Sequence, residues 1–167
     1  MFYPSPMAGA PDSIDSLAPM VATDVARGVA RMFLQAELTP LPEVPLGNGR
    51  RADIMAIDAK GCITIVEIKV SRADLLGDAK WPFYLDYCDR FFWAVPGGFD
   101  LAPFGTDAFR PDCCGLIVAD RYEAAVLREP LHRPLPGARR KAETLRFARR
   151  AARRLWGDLD PFPESCV

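Results

Sequence analysis

The sequence is short of the residues that build nucleophilic triads and zinc centres. Its 167 residues include a single histidine, His132, in the proline-flanked segment 130–134. We expect His132 to lie in a surface loop, and a Ser-His-Asp or Cys-His mechanism would depend on it alone. The five cysteines are odd in number and include no Cys-x-x-Cys pair. We therefore expect reduced thiols, with neither a disulfide framework nor a structural zinc site.

Long apolar runs are also missing. No segment approaches the roughly 20 residues needed to span a membrane, and residues 1–6 lack the basic and apolar regions of a signal peptide. We therefore expect a cytoplasmic protein without membrane association. The composition, 50% hydrophobic and 26% charged, is typical of one globular domain. We predict a flexible tail over residues 1–16, a single domain over 17–156 and an acidic tail over 157–167.

The nearly neutral total charge conceals a strongly basic segment. The net charge is −1, yet residues 131–156 contain nine Lys or Arg and a single acid, Glu143. The remaining residues carry 12 basic and 21 acidic side chains. Such an asymmetry favours one surface that binds a polyanion.

The same segment predicts a C-terminal helix over 138–156 that ends at Gly157. We expect it to pack through a mostly apolar stripe: Ala142, Leu145, Ala148 or Arg149, Ala152, Leu155 and Trp156. Four arginines then fall on another face: Arg139, Arg146, Arg150 and Arg153. A row of one sign suits contacts with a nucleic-acid backbone, and a solvated helix face is the alternative.

Residues 49–70 predict a central β-hairpin. Two apolar runs, 54–57 and 62–68, flank the short loop Asp58-Ala59-Lys60-Gly61. If Gly61 takes the left-handed position after a type I turn, the residue numbers of facing pairs sum to 120. Asp53 then lies opposite Glu67, with Cβ atoms about 4.5–5.5 Å apart, and Lys69 points to the same side.

These three charges are unusual on strands whose two faces are otherwise apolar. Two adjacent carboxylates repel one another, so either one is protonated or a cation lies between them. Mg2+ prefers oxygen ligands, and Asp53, Glu67, the backbone carbonyl of Ile68 and waters would suit it. Lys69 could then orient or deprotonate an attacking water, or stabilise charge on a phosphate. A structural ion-pair cluster with Arg50, Arg51 and Lys69 is the alternative.

The flanking segments predict the rest of the fold. We expect a helix from Leu17 to the prolines at 40 and 42, an edge strand over 41–46, a Ser71-capped helical turn over 72–78, a helix over 81–87 and strands over 90–95, 115–120 and 123–129. Glu43 on the edge strand is a candidate third acid of the site. A solvated edge position, or replacement in that role by Glu37, is the alternative.

The spacing of Asp53 and the tripeptide Glu67-Ile68-Lys69 on two antiparallel strands resembles the PD-(D/E)xK nuclease core. The wider pattern resembles the MmcB-like DNA repair proteins within that superfamily, through the segments 42–46, 50–53, 66–69, 78–82 and 87–92. This resemblance implies an α/β fold with a restriction-endonuclease-like core, a central mixed sheet flanked by helices on both faces. Lys80 and Tyr84, four residues apart, could share a helix face, and they are similar to the Gln-x-x-x-Tyr motif of RecB-type nucleases, with Lys replacing Gln. The alternative is a Lys stem and an aromatic ring that seal the flank of the sheet.

The resemblance implies a DNA repair nuclease that hydrolyses phosphodiester bonds with Mg2+ or Mn2+. Asp53, Glu67 and the Ile68 carbonyl would bind the metal, Lys69 would act on the attacking water and Glu43 would assist. The DNA contacts would come from Arg51, Lys80, Tyr84, Arg139, Arg146, Arg150 and Arg153, and other repair proteins are expected partners. The alternative is a catalytically silent DNA-binding module or a repair-complex subunit with the same fold. The DNA form, the number of metal ions and the oligomeric state stay open.

Overall fold

A computed structural model describes residues 20–159. These residues form three α-helices, α1 Ala22–Gln35, α2 Arg72–Gly77 and α3 Gly137–Leu159. Six strands form one sheet: β1 Thr39–Pro45, β2 Arg51–Ile57, β3 Ile63–Ile68, β4 Arg90–Pro96, β5 Gly115–Ala119 and β6 Ala124–Arg128. Short 3-10 helices cover Trp81–Asp86, Ala102–Gly105 and Asp107–Phe109.

The six strands lie in the sheet in their chain order. The β1–β2, β2–β3 and β5–β6 pairs are antiparallel, whereas β3–β4 and β4–β5 are parallel. Strand β1 is at an edge, as Pro42 and Pro45 predict. This mixed sheet confirms the predicted α/β class, and it is compatible with the PD-(D/E)xK core that the sequence resembles.

The central hairpin has the predicted register. Its pairs run from Ile57 with Ile63 to Ile54 with Val66, so every pair sums to 120. Gly61 adopts a φ of +78°, and its N–H donates to the Asp58 carbonyl at 3.0 Å. A positive φ costs glycine little, so the glycine fixes the turn and the turn fixes the register.

Apolar layers cover both faces of the sheet. On one face, Val25, Val29 and Phe33 of α1 pack against β-strand residues such as Val66 and Phe92. On the other face, the three 3-10 helices and α2 form an aromatic-rich cluster, joined by Phe147 of α3. The segment 96–114, whose role the sequence leaves open, contributes Phe104 and Phe109 against the Trp93 ring, with centroids 5.9 and 5.6 Å away.

Several predicted helix boundaries are wrong. Helix α1 starts at Ala22 and not at Leu17, because the Val21 N–H donates to the Asp24 carboxylate and begins the helix there. The segment after α2 forms a 3-10 helix and not an α-helix, since Pro82 stands in its first turn. Helix α3 continues through Gly157 to Leu159. Leu17, the predicted tail over 1–16 and residues 160–167 lie outside the described residues.

A buried acid joins α3 to the sheet. The Asp89 carboxylate accepts hydrogen bonds from the backbone N–H groups of Ile63 and Leu135, at 2.7 and 2.8 Å. It also accepts two from the Arg140 guanidinium, at 2.6 and 2.9 Å. Arg140 donates further to the Gly61 carbonyl at 2.7 Å. The hairpin turn, β4 and the start of α3 are therefore fixed to one another.

Among residues 20–159, no helix is long and apolar enough to cross a membrane.

Candidate metal and DNA-binding site

At Asp53 and Glu67, hydrogen bonds from backbone N–H groups to the two carboxylates replace the backbone pairing of β2 with β3. Past the Ile54–Val66 pair, the Asp53 carboxylate accepts from the Ile68 N–H at 2.8 Å. The Glu67 carboxylate in turn accepts from the Asp53 N–H at 3.4 Å. The structure therefore brings these two predicted acids together at the end of the hairpin.

The two carboxylates lie in a poorly solvated position. Glu67 is only 4% exposed, and burial together with the neighbouring Asp53 raises its pKa to about 8. Burial also raises the pKa of Asp53, although the Ile68 N–H and the Lys69 ammonium act in the opposite direction. A cation between the acids would replace the missing donors, because it compensates both charges at once.

Lys69 is held next to the acids by α2. Its ammonium lies 2.9 Å from the Asp78 carboxylate and 3.8 Å from that of Asp74. Burial alone would lower the pKa of Lys69, but Asp78, Asp74 and Glu67 raise it above its ordinary value. Lys69 is therefore a fixed cation at neutral pH.

Asp74 and Asp78 are functional candidates that the sequence reasoning missed. Asp74 lies in the first turn of α2 and Asp78 is the C-cap of that helix. The N-cap is Ser71, whose hydroxyl accepts from the Asp74 N–H at 3.2 Å. Their spacing of four residues was the available signal, because residues four apart share one side of a helix. That side faces Lys69.

Tyr84 and Lys80 occupy different surroundings. Tyr84 is buried, and its hydroxyl donates to the Arg51 carbonyl at 3.1 Å. Burial and the nearby Glu67 raise the pKa of the phenol, so Tyr84 lies beside the acids. Lys80 is exposed and precedes the 3-10 helix, and the α-helical face that these two residues were expected to share does not form.

Glu43 lies across from Asp53, because Pro42 pairs with Ile54 and Val44 pairs with Ala52. Its backbone has a φ of 55°, and its carboxylate forms an ion pair with Arg51. Glu43 nevertheless contributes to raising the pKa of Asp53. Within residues 20–159, His, Cys, Asp and Glu form no group of three or more suited to a metal.

Several arginines of α3 contact the rest of the protein. The stripe that was predicted to pack is exposed instead, so that prediction is wrong. Arg139 lies over the Tyr87 ring at 4.4 Å, Arg146 lies 3.3 Å from the buried Glu143 carboxylate, and Arg154 donates to the carbonyls of Pro42 and Glu43. The contacts of Arg139 with Tyr87 and of Arg154 with β1 hold this face of α3 against the protein, so the apolar stripe lies outwards.

A basic groove remains between α3 and the edge of the sheet. It encloses about 310 Å³ and is lined by Pro45, Ala142, Leu145, Arg146, Arg149, Arg150 and Arg153. Three predicted DNA-binding residues, Arg146, Arg150 and Arg153, therefore lie together. Arg139 lies apart from them, beside Tyr87.

A family model described as DNA repair protein MmcB-like matches residues 10–161. Among solved structures, the chain is similar to the SPO1766 protein of unknown function from Silicibacter pomeroyi, with a TM-score of 0.77 and 38% sequence identity. That similarity covers 90% of this chain and 98% of the other. The search of curated proteins finds no match.

Proposed function

The chain belongs to the MmcB-like family of DNA repair proteins, and we propose that it is a DNA nuclease that uses Mg2+ or Mn2+. The observation that carries the proposal is the pair of adjacent carboxylates, Asp53 and Glu67, at the end of a central hairpin. A purely structural pair would be satisfied by donors from the protein. Here two backbone N–H groups serve both acids, and the pKa of each is raised.

The donor set fits Mg2+. This ion is commonly held by one or two carboxylates, with waters and phosphate oxygens in its other positions, so a third acid is not required. Asp53, Glu67 and the Ile68 carbonyl would hold it, with Glu43 as a nearby acid that strengthens the negative potential. When bound, the ion would neutralise negative charge on the phosphate and make water a better nucleophile.

Lys69 acts as a cation in this proposal and not as a base. Its raised pKa keeps the ammonium protonated at neutral pH, so it cannot accept the proton of the attacking water. It can donate a hydrogen bond that orients this water, or stabilise charge that develops on the phosphate. Asp78 and Asp74 fix its position.

The basic groove would hold the DNA backbone. Its arginines suit bidentate contacts with phosphate, and such contacts are independent of sequence and weaken with salt. Arg51, whose charge acts on Asp53, and the exposed Lys80 would contact the strand beside the scissile bond. The buried Tyr84 would shape that side of the site.

Cleavage assays on supercoiled, linear and single-stranded DNA test the proposal. We expect cleavage by the wild type with Mg2+ or Mn2+, and a loss of at least about 100-fold in Asp53→Asn and Lys69→Met, since each removes charge at the reacting phosphate. The control Glu129→Gln changes an exposed acid on another surface and should cleave normally. Circular dichroism would verify that each variant is folded.

Normal cleavage by Asp53→Asn would disprove the assignment of the site. DNA binding by the wild type without cleavage of any DNA form or with either metal would instead support the silent DNA-binding module.

A further inference from the structure

The outward face of α3 is apolar. Leu145, Leu155, Trp156 and Leu159 are 54–68% exposed, and exposed alanines stand between them at Ala138, Ala142, Ala148 and Ala152. We call these eight residues the outer stripe. The opposite side of the helix carries the buried Glu143, together with Phe147 and Arg154, which contact the rest of the protein.

This arrangement reverses the usual one for a surface helix. A helix normally turns its apolar side to the core and its charges to water. Here Arg140, Arg146 and Arg154 are held by Asp89, Glu143 and the β1 carbonyls, so the apolar side is left outside. A contiguous exposed apolar patch on a folded protein marks an interaction surface.

The spacing of the outer stripe is self-complementary in an antiparallel arrangement. When two copies of α3 align so that facing residue numbers sum to 297, Ala138 faces Leu159, Ala142 faces Leu155 and Leu145 faces Ala152. Each leucine of the stripe then meets an alanine, which lets two helices pack closely. Lys141 faces Trp156, where its ammonium can lie over the indole ring.

We propose that the outer stripe is a homodimer interface, in which the α3 helices of two copies pair antiparallel about a twofold axis near Ala148. The same patch serves both subunits, as a twofold interface requires. The 23 residues of α3 extend over about 34 Å. One helix pair of that length lies at the lower end of the area that specific interfaces bury, so we expect dissociation in the micromolar range.

Charge sets the salt dependence of this dimer. The proposed axis passes between residues 148 and 149, so the two copies of Arg149 lie within about one helical rise of each other along the helix, and like charges oppose association. Salt screens this repulsion and should strengthen the dimer, whereas it weakens DNA binding. The outer stripe shares Ala142 and Leu145 with the basic groove, so the dimer and DNA bound in that groove would compete. The dimer itself does not require nuclease activity, since the proposed cleavage site lies on other elements.

Sedimentation velocity of the full chain across the micromolar range tests the proposal. We expect a monomer–dimer equilibrium that shifts towards dimer as salt increases, and at least a tenfold weaker dimer for Leu145→Asp. Leu131→Asp is the matched control, because Leu131 is a leucine of similar exposure, 56%, on the loop that precedes α3 and outside the outer stripe. It should dimerise like the wild type, and circular dichroism of both variants would verify the fold.

Disulfide trapping then tests the geometry. Ala148→Cys should form a covalent dimer under mild oxidation, because the two copies of residue 148 lie beside the axis, within about one helical rise of each other. Ala59→Cys in the hairpin loop and the wild type, with its native thiols, should not. A wild type that is monomeric at all concentrations and salt levels would overturn the proposal. This holds also if the monomer binds an acidic amphipathic peptide through the outer stripe. A dimer that Leu145→Asp leaves intact would overturn it too.

Discussion

Two buried acid sites of this protein differ in the hydrogen-bond donors that they receive and in the direction of their pKa shifts. Asp89 accepts hydrogen bonds from two backbone N–H groups and from both terminal nitrogens of Arg140. Burial alone would raise the pKa of Asp89, but these donors lower it below its ordinary value. Asp53 and Glu67 receive one backbone N–H each, and their pKa values are raised. Burial is common to both sites, and the supply of donors separates them.

The difference indicates what each site is for. A buried charge is tolerated when donors satisfy it, and Asp89 then stabilises the fold by joining three elements. Two acids that share too few donors destabilise the folded state, and the protein keeps them only where a ligand of opposite charge is expected. We therefore expect substitutions at Asp89 to act on stability, and substitutions at Asp53 and Glu67 to act on cation binding and cleavage.

Removing Asp89 should give the largest effect. Asp89→Ala leaves the Arg140 guanidinium and two buried N–H groups without their acceptor, so we expect a loss of about 3–5 kcal/mol in the free energy of unfolding. Urea denaturation at pH 7 measures it, with the exposed Asp86→Ala as control, expected within about 0.5 kcal/mol of wild type. A loss below about 1 kcal/mol would show that Asp89 is not a structural anchor.

Glu67→Gln should stabilise the metal-free protein, and more so as pH rises. The raised pKa of Glu67 means that the folded state keeps its proton up to about pH 8, while the unfolded state loses it near its ordinary value. Wild-type stability therefore falls as pH rises between those values. Glutamine does not ionise, so its advantage should grow over this interval to at most about 4 kcal/mol.

Urea denaturation at pH 5, 6.5 and 8 without divalent ions measures this advantage. Asp58→Asn would serve as a comparison, because Asp58 is a half-buried acid whose carboxylate already accepts from the N–H groups of Lys60 and Cys62. It should show no such gain. An advantage of Glu67→Gln that is constant with pH would mean that Glu67 is ionised in the folded protein.

Cation binding should release a proton. If Mg2+ binds between the two acids, Glu67 must lose its proton below about pH 8. Affinity should then rise with pH by up to about tenfold per unit. Calorimetry at pH 6.5 in buffers of different ionisation enthalpy would measure close to one proton released per ion. Binding without proton release would place the ion elsewhere.

The hairpin was predictable because local chemistry determines it. The loop 58–61 with its left-handed Gly61 sets the register as far as the Ile54–Val66 pair, and the next residues on the two strands, Asp53 and Glu67, then lie together. The edge position of β1 likewise follows from its prolines. The start of α1 was not predictable from periodicity. The Asp24 carboxylate accepts a hydrogen bond from the Val21 N–H, and the helix therefore starts at Ala22, although the apolar period extends further towards the N-terminus.

The orientation of α3 could not be read from its own sequence. Its apolar and basic faces are both well formed, and the periodicity favours packing through the apolar one. The outcome depends on distant acceptors: Asp89 for Arg140, and the carbonyls of Pro42 and Glu43 for Arg154. The aspartates that hold Lys69 were missed for the same reason, because their role follows from how α2 folds back towards β3.

The smallest effect is expected for Arg153→Ala, and it distinguishes Arg153 from Arg140 on the same helix. Arg140 belongs to the Asp89 cluster, whereas Arg153 is exposed and lines the basic groove. We expect Arg153→Ala to leave the free energy of unfolding within about 0.5 kcal/mol of wild type. It should weaken DNA binding less than tenfold and reduce the slope of log affinity against log salt by about 0.9, as the loss of one phosphate contact requires. Fluorescence anisotropy in chelator at several salt concentrations measures both quantities without cleavage.

Arg140→Ala is the matched substitution, since it removes an arginine from the same helix. It should destabilise the fold because Asp89 loses its ion-pair partner. The folded protein should nevertheless bind DNA with the same slope of log affinity against log salt as the wild type. If Arg153→Ala leaves affinity and slope unchanged, the groove does not bind the DNA backbone. If Arg140→Ala alone lowers the slope of log affinity against log salt, the DNA passes on the side of α3 that faces the hairpin turn. Arg140 would then bind DNA as well as stabilise the fold through Asp89.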